Sequence, residues 1–155
     1  MSAEARIKEL NLSIPAPPKP VAAYVPTVTT GNHIYTSGQV PLVEGKLLYK
    51  GKLGEDISVN DGYQAARICA LNCLGALKEA LGSLDKIQRV VKVTGFVNSP
   101  GSFSDQPKVI NGASDLLVDI FGDRGRHARS AVGVSSLPLG AAVEVEMMVE
   151  VVTEG

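Results

Sequence analysis

The chain has no tryptophan, and phenylalanine and tyrosine bring its aromatic content to only 5%. A surface that stacks single-stranded bases needs aromatic platforms, so that class is disfavoured. No charge of one sign dominates either. Fifteen Lys and Arg face sixteen Asp and Glu, a formal net charge of −1. That balance supplies no long-range field for nucleic acid or an anionic membrane. Two cysteines in 155 residues are too few for a disulfide scaffold. The two histidines, His33 and His127, are far apart with no partners at ligand spacing, so no metal site is expected. No apolar run approaches the ~20 residues of a membrane helix. The opening MSAEARIKEL carries acids and no apolar stretch of the kind a secretory signal needs. Phosphate-binding and dinucleotide glycine motifs, the zinc-protease helix and the nucleophile elbow are all missing. The expectation left standing is a soluble, cytoplasmic globular protein.

What is present is apolar and aliphatic. Hydrophobic residues make up 45% of the chain and charged residues 20%, which argues against disorder. The length suits one domain with a sizeable core. Pro15, Pro17, Pro18 and Pro20 fall within six residues, so a helix cannot run through them. Residues 1–20 therefore read as a proline-rich lead-in, with 1–12 a short polar helix or tail, and 21–155 as the single domain.

Within that domain, Val21–Val28 and His33–Ser37 read as an antiparallel hairpin about Gly31-Asn32. Lys46–Tyr49 reads as a short third strand. Ser58 and Asp61 open a helix, and Tyr63, Ala66, Ala70, Leu74, Leu77 and Leu81 give it one apolar face until Gly82 stops it. Gly75 inside that helix points to a close approach of helix and sheet. The β-branched run Ile87–Val97 reads as a central strand. A second helix turns Val109, Ala113, Leu116, Leu117 and Ile120 inward and ends at Gly122. Arg129–Val134 and the alternating run Ala142–Val152 complete the set. This order, β-β-(β)-α-β-α-β-β, predicts an α+β fold: a mostly antiparallel sheet with two helices on one face. The other face is too apolar to leave in water, which points to a symmetric oligomer packing sheet against sheet.

Two groups stand out chemically. Cys69 and Cys73, four apart on the first helix, read as small core residues. Arg129 opens a strand. It is either a solvated strand-end cation or an anion clamp, since guanidinium forks two donors onto a carboxylate. If its strand pairs with the next through the Leu137–Gly140 turn, Glu144 falls at the same sheet end. Glu144 is then either an ordinary outward strand residue or a carboxylate able to orient or activate water.

The matches AAYVP at 22–26, IYTSGQVPL at 34–42, RVVKVTGFV at 89–97, Asn111, and ARSAVGVSSLPLGAAVEVE at 128–146 are ordered and spaced over roughly residues 20–152. On them the chain resembles the Rid/YjgF family, the reactive-intermediate deaminases, also called L-PSP endoribonuclease-like proteins. The resemblance implies a chorismate-mutase-like fold and a homotrimer with clefts between subunits. It implies hydrolysis of reactive enamines and imines such as 2-aminoacrylate to a keto acid and ammonia, without a cofactor. Carried over, Arg129 matches the arginine that holds the substrate carboxylate and Glu144 the carboxylate near the attacking water. Tyr24, Ser37 and Gly38 match residues lining the cleft. Asn111 matches a helix asparagine whose role is either substrate contact or a helix-to-strand hydrogen bond. Ala131 stands where the family often has a pocket-lining cysteine, and the lead-in is longer than the common form, which points to a divergent branch. The alternatives are a non-catalytic trimer that binds small carboxylates or regulates a partner, and a ribonuclease.

Overall fold

Ser58 accepts a hydrogen bond from the Asp61 amide at 3.1 Å, capping the longest helix as its sequence predicts. In the computed structural model, which describes residues 1–19 and 21–152, this helix is α2, Val59–Leu81. Pro20 of the proline cluster lies outside the described residues. Before α2 come α1 (Ala3–Glu9), the strands β1 (Thr27–Thr30) and β2 (His33–Thr36), and a ribbon of β3 (Leu42–Val43) and β4 (Lys46–Leu47). After it come β5 (Ile87–Asn98), α3 (Gln106–Phe121), β6 (Ala128–Val134) and β7 (Val143–Val151). Among the described residues, no helix is long and apolar enough to cross a membrane.

The strands form one five-stranded sheet in the order β1-β2-β7-β5-β6, antiparallel except for the β5–β6 pair. The α+β architecture with helices on one face is as expected, with α1 as a third helix. Val143, Val145, Met147, Val149 and Val151 of β7 turn toward the helices and are buried, while Glu144, Glu146, Met148 and Glu150 face the other way. Leu74 and Leu77 of α2 and Leu116 and Leu117 of α3 are fully buried, each contributing about 1.5–3 kcal/mol. Cys69 and Cys73 sit fully buried between α2 and β7, and donate to the carbonyls of Val143 at 3.6 Å and Val145 at 3.3 Å. Burial holds both thiols high, Cys73 at about 12, so they are inert core residues.

Four local expectations need correction. The first strand begins at Thr27 rather than Val21, because Pro26 has no N–H for the ladder and the β-branched run starts after it. Lys46–Leu47 pairs only with Leu42–Val43 as a separate ribbon and does not join the main sheet. Gly75 makes room for the lead-in and not for the sheet. A Cβ there would lie 1.9 Å from the Pro15 carbonyl oxygen, so the extended segment runs across α2 at that glycine. The fourth concerns β6. It does not pair with β7 through the Leu137–Gly140 turn, because α3 carries the chain back over the sheet. β6 therefore starts from the same end as β5 and pairs with it in parallel.

The lead-in starts with helix α1, whose Ala3 and Ile7 are buried in the core. Glu4 anchors it, accepting from the Leu84 amide at 3.1 Å and pairing with Lys78 at 3.2 Å. Arg6 Nε donates to the Asp119 carbonyl at 2.8 Å.

Helices α2 and α3 meet at Gly112, where a Cβ would fall 1.9 Å from the Tyr63 carbonyl oxygen. That oxygen is backbone and cannot swing away. Gly112→Ala is therefore expected to lower the unfolding free energy by about 1–3 kcal/mol in urea denaturation. Gly101→Ala, where an added Cβ meets nothing within 4 Å, is the control and stays within about 0.5 kcal/mol of wild type.

Candidate functional site

The parallel β5–β6 register sets Arg129 opposite Val93, whose side chain is buried on the helix side. Arg129 therefore reaches from the edge strand toward α3. Pro107 sits in the first turn of α3, where its missing N–H costs nothing, so the helix runs unbroken through Asn111 and Ser114. Arg129 Nη1 donates to Asn111 Oδ1 at 2.8 Å and to Ser114 Oγ at 3.1 Å. Both partners are uncharged. Among the described residues Arg129 makes no ion pair, and its Nε and Nη2 have no protein partner. Asn111 thus makes the helix-to-strand bond that one of its two readings describes. Ala131, on the same side of the strand, registers with Gly95 and is partly buried against the core.

Ser114 is shared. Its Oγ also lies 2.9 Å from His127 Nε2, and His127 Nδ1 lies 2.6 Å from the Gly125 carbonyl oxygen. Burial lowers the His127 pKa; the Gly125 carbonyl opposes this, and the nearby Arg129 guanidinium adds to it. The ring is therefore neutral at physiological pH. Sequence reasoning missed both Ser114 and His127. The only signal was a histidine two residues before Arg129 in the segment DRGRH, and nothing in the sequence tied it to a serine on α3.

The remaining candidates gather at the other side of the sheet. Ser37, just past β2, donates from Oγ to the Val25 carbonyl at 2.6 Å and from its amide to the Pro26 carbonyl at 2.8 Å. These bonds tie the Tyr24 segment to the end of β2. Tyr24 is 61% exposed and lines a cleft of about 280 Å³ with Pro17, Pro18, Lys19 and Gly38. A Cβ at Gly38 would lie 2.6 Å from Glu144 Oε1, so the glycine makes the space the carboxylate occupies. Glu144 is half-buried, and burial, with Glu146 adding to it, raises its pKa.

Within one chain, then, the candidates form two groups, Arg129 with Asn111 and Ala131, and Glu144 with Tyr24, Ser37 and Gly38. Arg129 is level with Met147 of β7, and Glu144 with Val132 of β6. The two residues lie two strands across and three residues along, roughly 14 Å apart at ordinary strand spacings. They also project from opposite faces. The expectation that Arg129 and Glu144 share one sheet end is thereby corrected, and the cause is the parallel crossover that places β5 between their strands. The separation also decides which influence governs Glu144. Burial does, because Arg129 is too distant to pull its pKa down.

This makes a pH prediction. A carboxyl whose folded pKa lies above its unfolded value stabilises the fold below the unfolded value and loses that contribution as pH rises through the folded one. Glu144→Gln is therefore expected to raise the melting temperature relative to wild type at pH 7. The difference should narrow as pH falls through the raised Glu144 pKa and close below the ordinary glutamate range, in thermal melts taken from pH 7 to about pH 3.

Comparison with known proteins fits this architecture. The family model described as "YjgF/chorismate mutase-like, putative endoribonuclease" matches residues 4–151. The chain is 46% identical over 147 residues to "Protein TCP17" of Trypanosoma cruzi, covering 94% of this chain and 92% of that protein. It is 31% identical over 139 residues to a "2-iminobutanoate/2-iminopropanoate deaminase" of Dermatophagoides farinae, covering 89% and 93% respectively. The crystal structure of a "putative endoribonuclease" from Shewanella oneidensis superposes with a TM-score of 0.93 at 37% identity, over 97% of this chain and 100% of that one. With a family model spanning nearly its whole length, a sheet and helix layer of the same form, and relatives matched end to end, the chain belongs to the Rid/YjgF family and has its chorismate-mutase-like fold.

Proposed function

We propose that the protein hydrolyses small imino acids, the tautomers of reactive enamines such as 2-aminoacrylate, to keto acids and ammonia, in clefts shared by neighbouring copies of the chain. The observation that carries this reading is the unneutralised Arg129 guanidinium, with Nε and Nη2 unpartnered among the described residues. A substrate carboxylate is the natural ligand for that fork. The name of the Dermatophagoides farinae relative supports the imine as its substrate class.

The chemistry needs no redox partner. Water oxygen attacks the imine carbon, and the C=N π pair moves to nitrogen, which takes a proton. The carbinolamine nitrogen then takes a second proton, matched by the one its hydroxyl gives up, and leaves as ammonia as the C=O bond forms. Glu144 is the base for the attacking water and returns the proton to nitrogen. Its raised pKa brings it nearer to the range where a carboxyl both takes and gives protons at working pH. Arg129 anchors the carboxylate and so aims the imine carbon at that water.

Because Arg129 and Glu144 of one chain are too far apart to serve one small substrate, each cleft combines the Arg129 group of one copy with the Tyr24–Gly38–Glu144 group of the next. Closing such a head-to-tail contact on itself produces a ring, and a homotrimer is the proposed form. The open sheet face supports it, with Val28 at 55%, Tyr35 at 46% and Val132 at 42% exposure in an isolated chain. The carboxylates of Glu144, Glu146 and Glu150 on that face argue against a phosphate backbone as ligand.

Imino acids generated in situ and followed by keto-acid release test the reaction. Arg129→Ala is expected to lower kcat/KM by about 10–100-fold, the loss of a charge-assisted pair, and Glu144→Gln to lower kcat by about 10²-fold or more. Equal rates for wild type and Arg129→Ala would remove the reading. Mixing the two inactive variants after subunit exchange tests the shared cleft. About a quarter of the clefts in random hybrids then pair an intact arginine with an intact glutamate, whereas a site contained in one chain regains nothing.

A further inference from the structure

Arg129 is steered by a hydroxyl whose own direction is set by a histidine. The Gly125 carbonyl can only accept, so His127 Nδ1, 2.6 Å away, carries the ring proton. A neutral ring then leaves Nε2 as an acceptor, and the Ser114 hydroxyl at 2.9 Å donates to it. That bond turns the hydroxyl proton away from Arg129 and presents an Oγ lone pair to Nη1 at 3.1 Å. Without the imidazole the hydroxyl rotates about Cβ–Oγ, and some of its rotamers aim the proton at the guanidinium and lose the bond.

The surroundings keep this chain of bonds electrically quiet. On β6, Arg129 is the charge beside the ring. On α3, Asp115 is taken by the Tyr63 hydroxyl at 2.7 Å. In the turn before β6, Asp123 pairs with Arg126 at 3.4 Å, and Arg124 donates to the Ile87 carbonyl at 3.0 Å. No carboxylate pairs with His127 among the described residues. A carboxylate in place of Ser114 would hold Arg129 at least as firmly, yet it would compete with an incoming anion for the same donors. An oriented hydroxyl fixes the geometry and leaves the charge free.

We propose that Ser114 and His127 form a positioning pair that sets the Arg129 guanidinium for capture of the substrate carboxylate. The inference rests on the reading of Arg129 as the carboxylate clamp. Neither residue touches substrate, and both act through Arg129.

Calorimetric titration with pyruvate tests it on the full-length protein. Ser114→Ala and His127→Leu are expected to weaken pyruvate binding about 5-fold, the value of one hydrogen bond. Ser114→Thr, which keeps the hydroxyl, and His127→Gln, whose side-chain carbonyl replaces the Nε2 acceptor, are expected to restore it. A merely structural role does not predict rescue by those two variants. Nitrogen-15 NMR of wild type adds a readout independent of ligand: the proton of His127 sits on Nδ1, the less common tautomer. Wild-type affinity in Ser114→Ala, with Arg129→Ala still weakening pyruvate, overturns the positioning pair and leaves the clamp standing. A proton found on Nε2 overturns it as well. Failure of wild type to bind pyruvate overturns the clamp itself, and the pair with it.

Discussion

A guanidinium held by an amide oxygen and a hydroxyl, and by no carboxylate among the described residues, is the feature on which the functional argument depends. Most structural arginines are neutralised locally, because a partly buried cation without a partner is expensive. Here the cost is reduced by neutral dipoles that orient the fork and leave its charge uncancelled. Such an arrangement is stable enough to persist and still gains from an external anion. The same logic separates this site from the ion pairs elsewhere on the surface. The Arg6–Glu9 and Arg126–Asp123 pairs have each found an acid three residues away, at 2.9 Å and 3.4 Å.

Topology then determines what that charge can reach. The β5–α3–β6 crossover makes β6 an edge strand, and the parallel register turns Arg129 toward α3. Glu144 lies on the far side of β5, on the opposite face, against Gly38. Two chemically complementary groups are thus kept apart by the strand between them. Among the described residues, half-buried Glu144 has no cation to lower its pKa, and Arg129 has no anion to quench it. Both are unsatisfied in one chain. In the proposed trimer a second copy brings them together, and the exposed Val28, Tyr35 and Val132 give it an apolar surface to bury.

Much of this was legible in the residues themselves. The capping pair Ser58 and Asp61, the apolar face of α2 and the strict alternation of β7 are local patterns, and local patterns fix element type and buried face. The burial of Cys69 and Cys73 followed from their place on that face. What could not be read was partner choice between strands. Arg129–Val134 and Ala142–Val152 are joined by a turn, which favours a hairpin on length alone. Only the packing of α3 over the sheet forces β6 onto the other flank of β5. The Ser114–His127 link was illegible for the same reason, since it joins a helix to a turn thirteen residues on through tertiary contact.

The lead-in carries the same lesson further. Four prolines mark it as extended, but they do not say where it lies. Gly75 supplies the answer, because the missing Cβ admits the Pro15 carbonyl onto α2 and so directs the chain along that helix. From there Pro17, Pro18 and Lys19 reach the cleft beside Tyr24 and Gly38. A segment that looks like a tail in sequence thereby becomes a wall of the candidate site. Its rigidity follows from proline's fixed φ, so the wall is shaped before any ligand arrives. On the proposed reading, this wall beside Tyr24 and Gly38 bounds the space open to an imino acid.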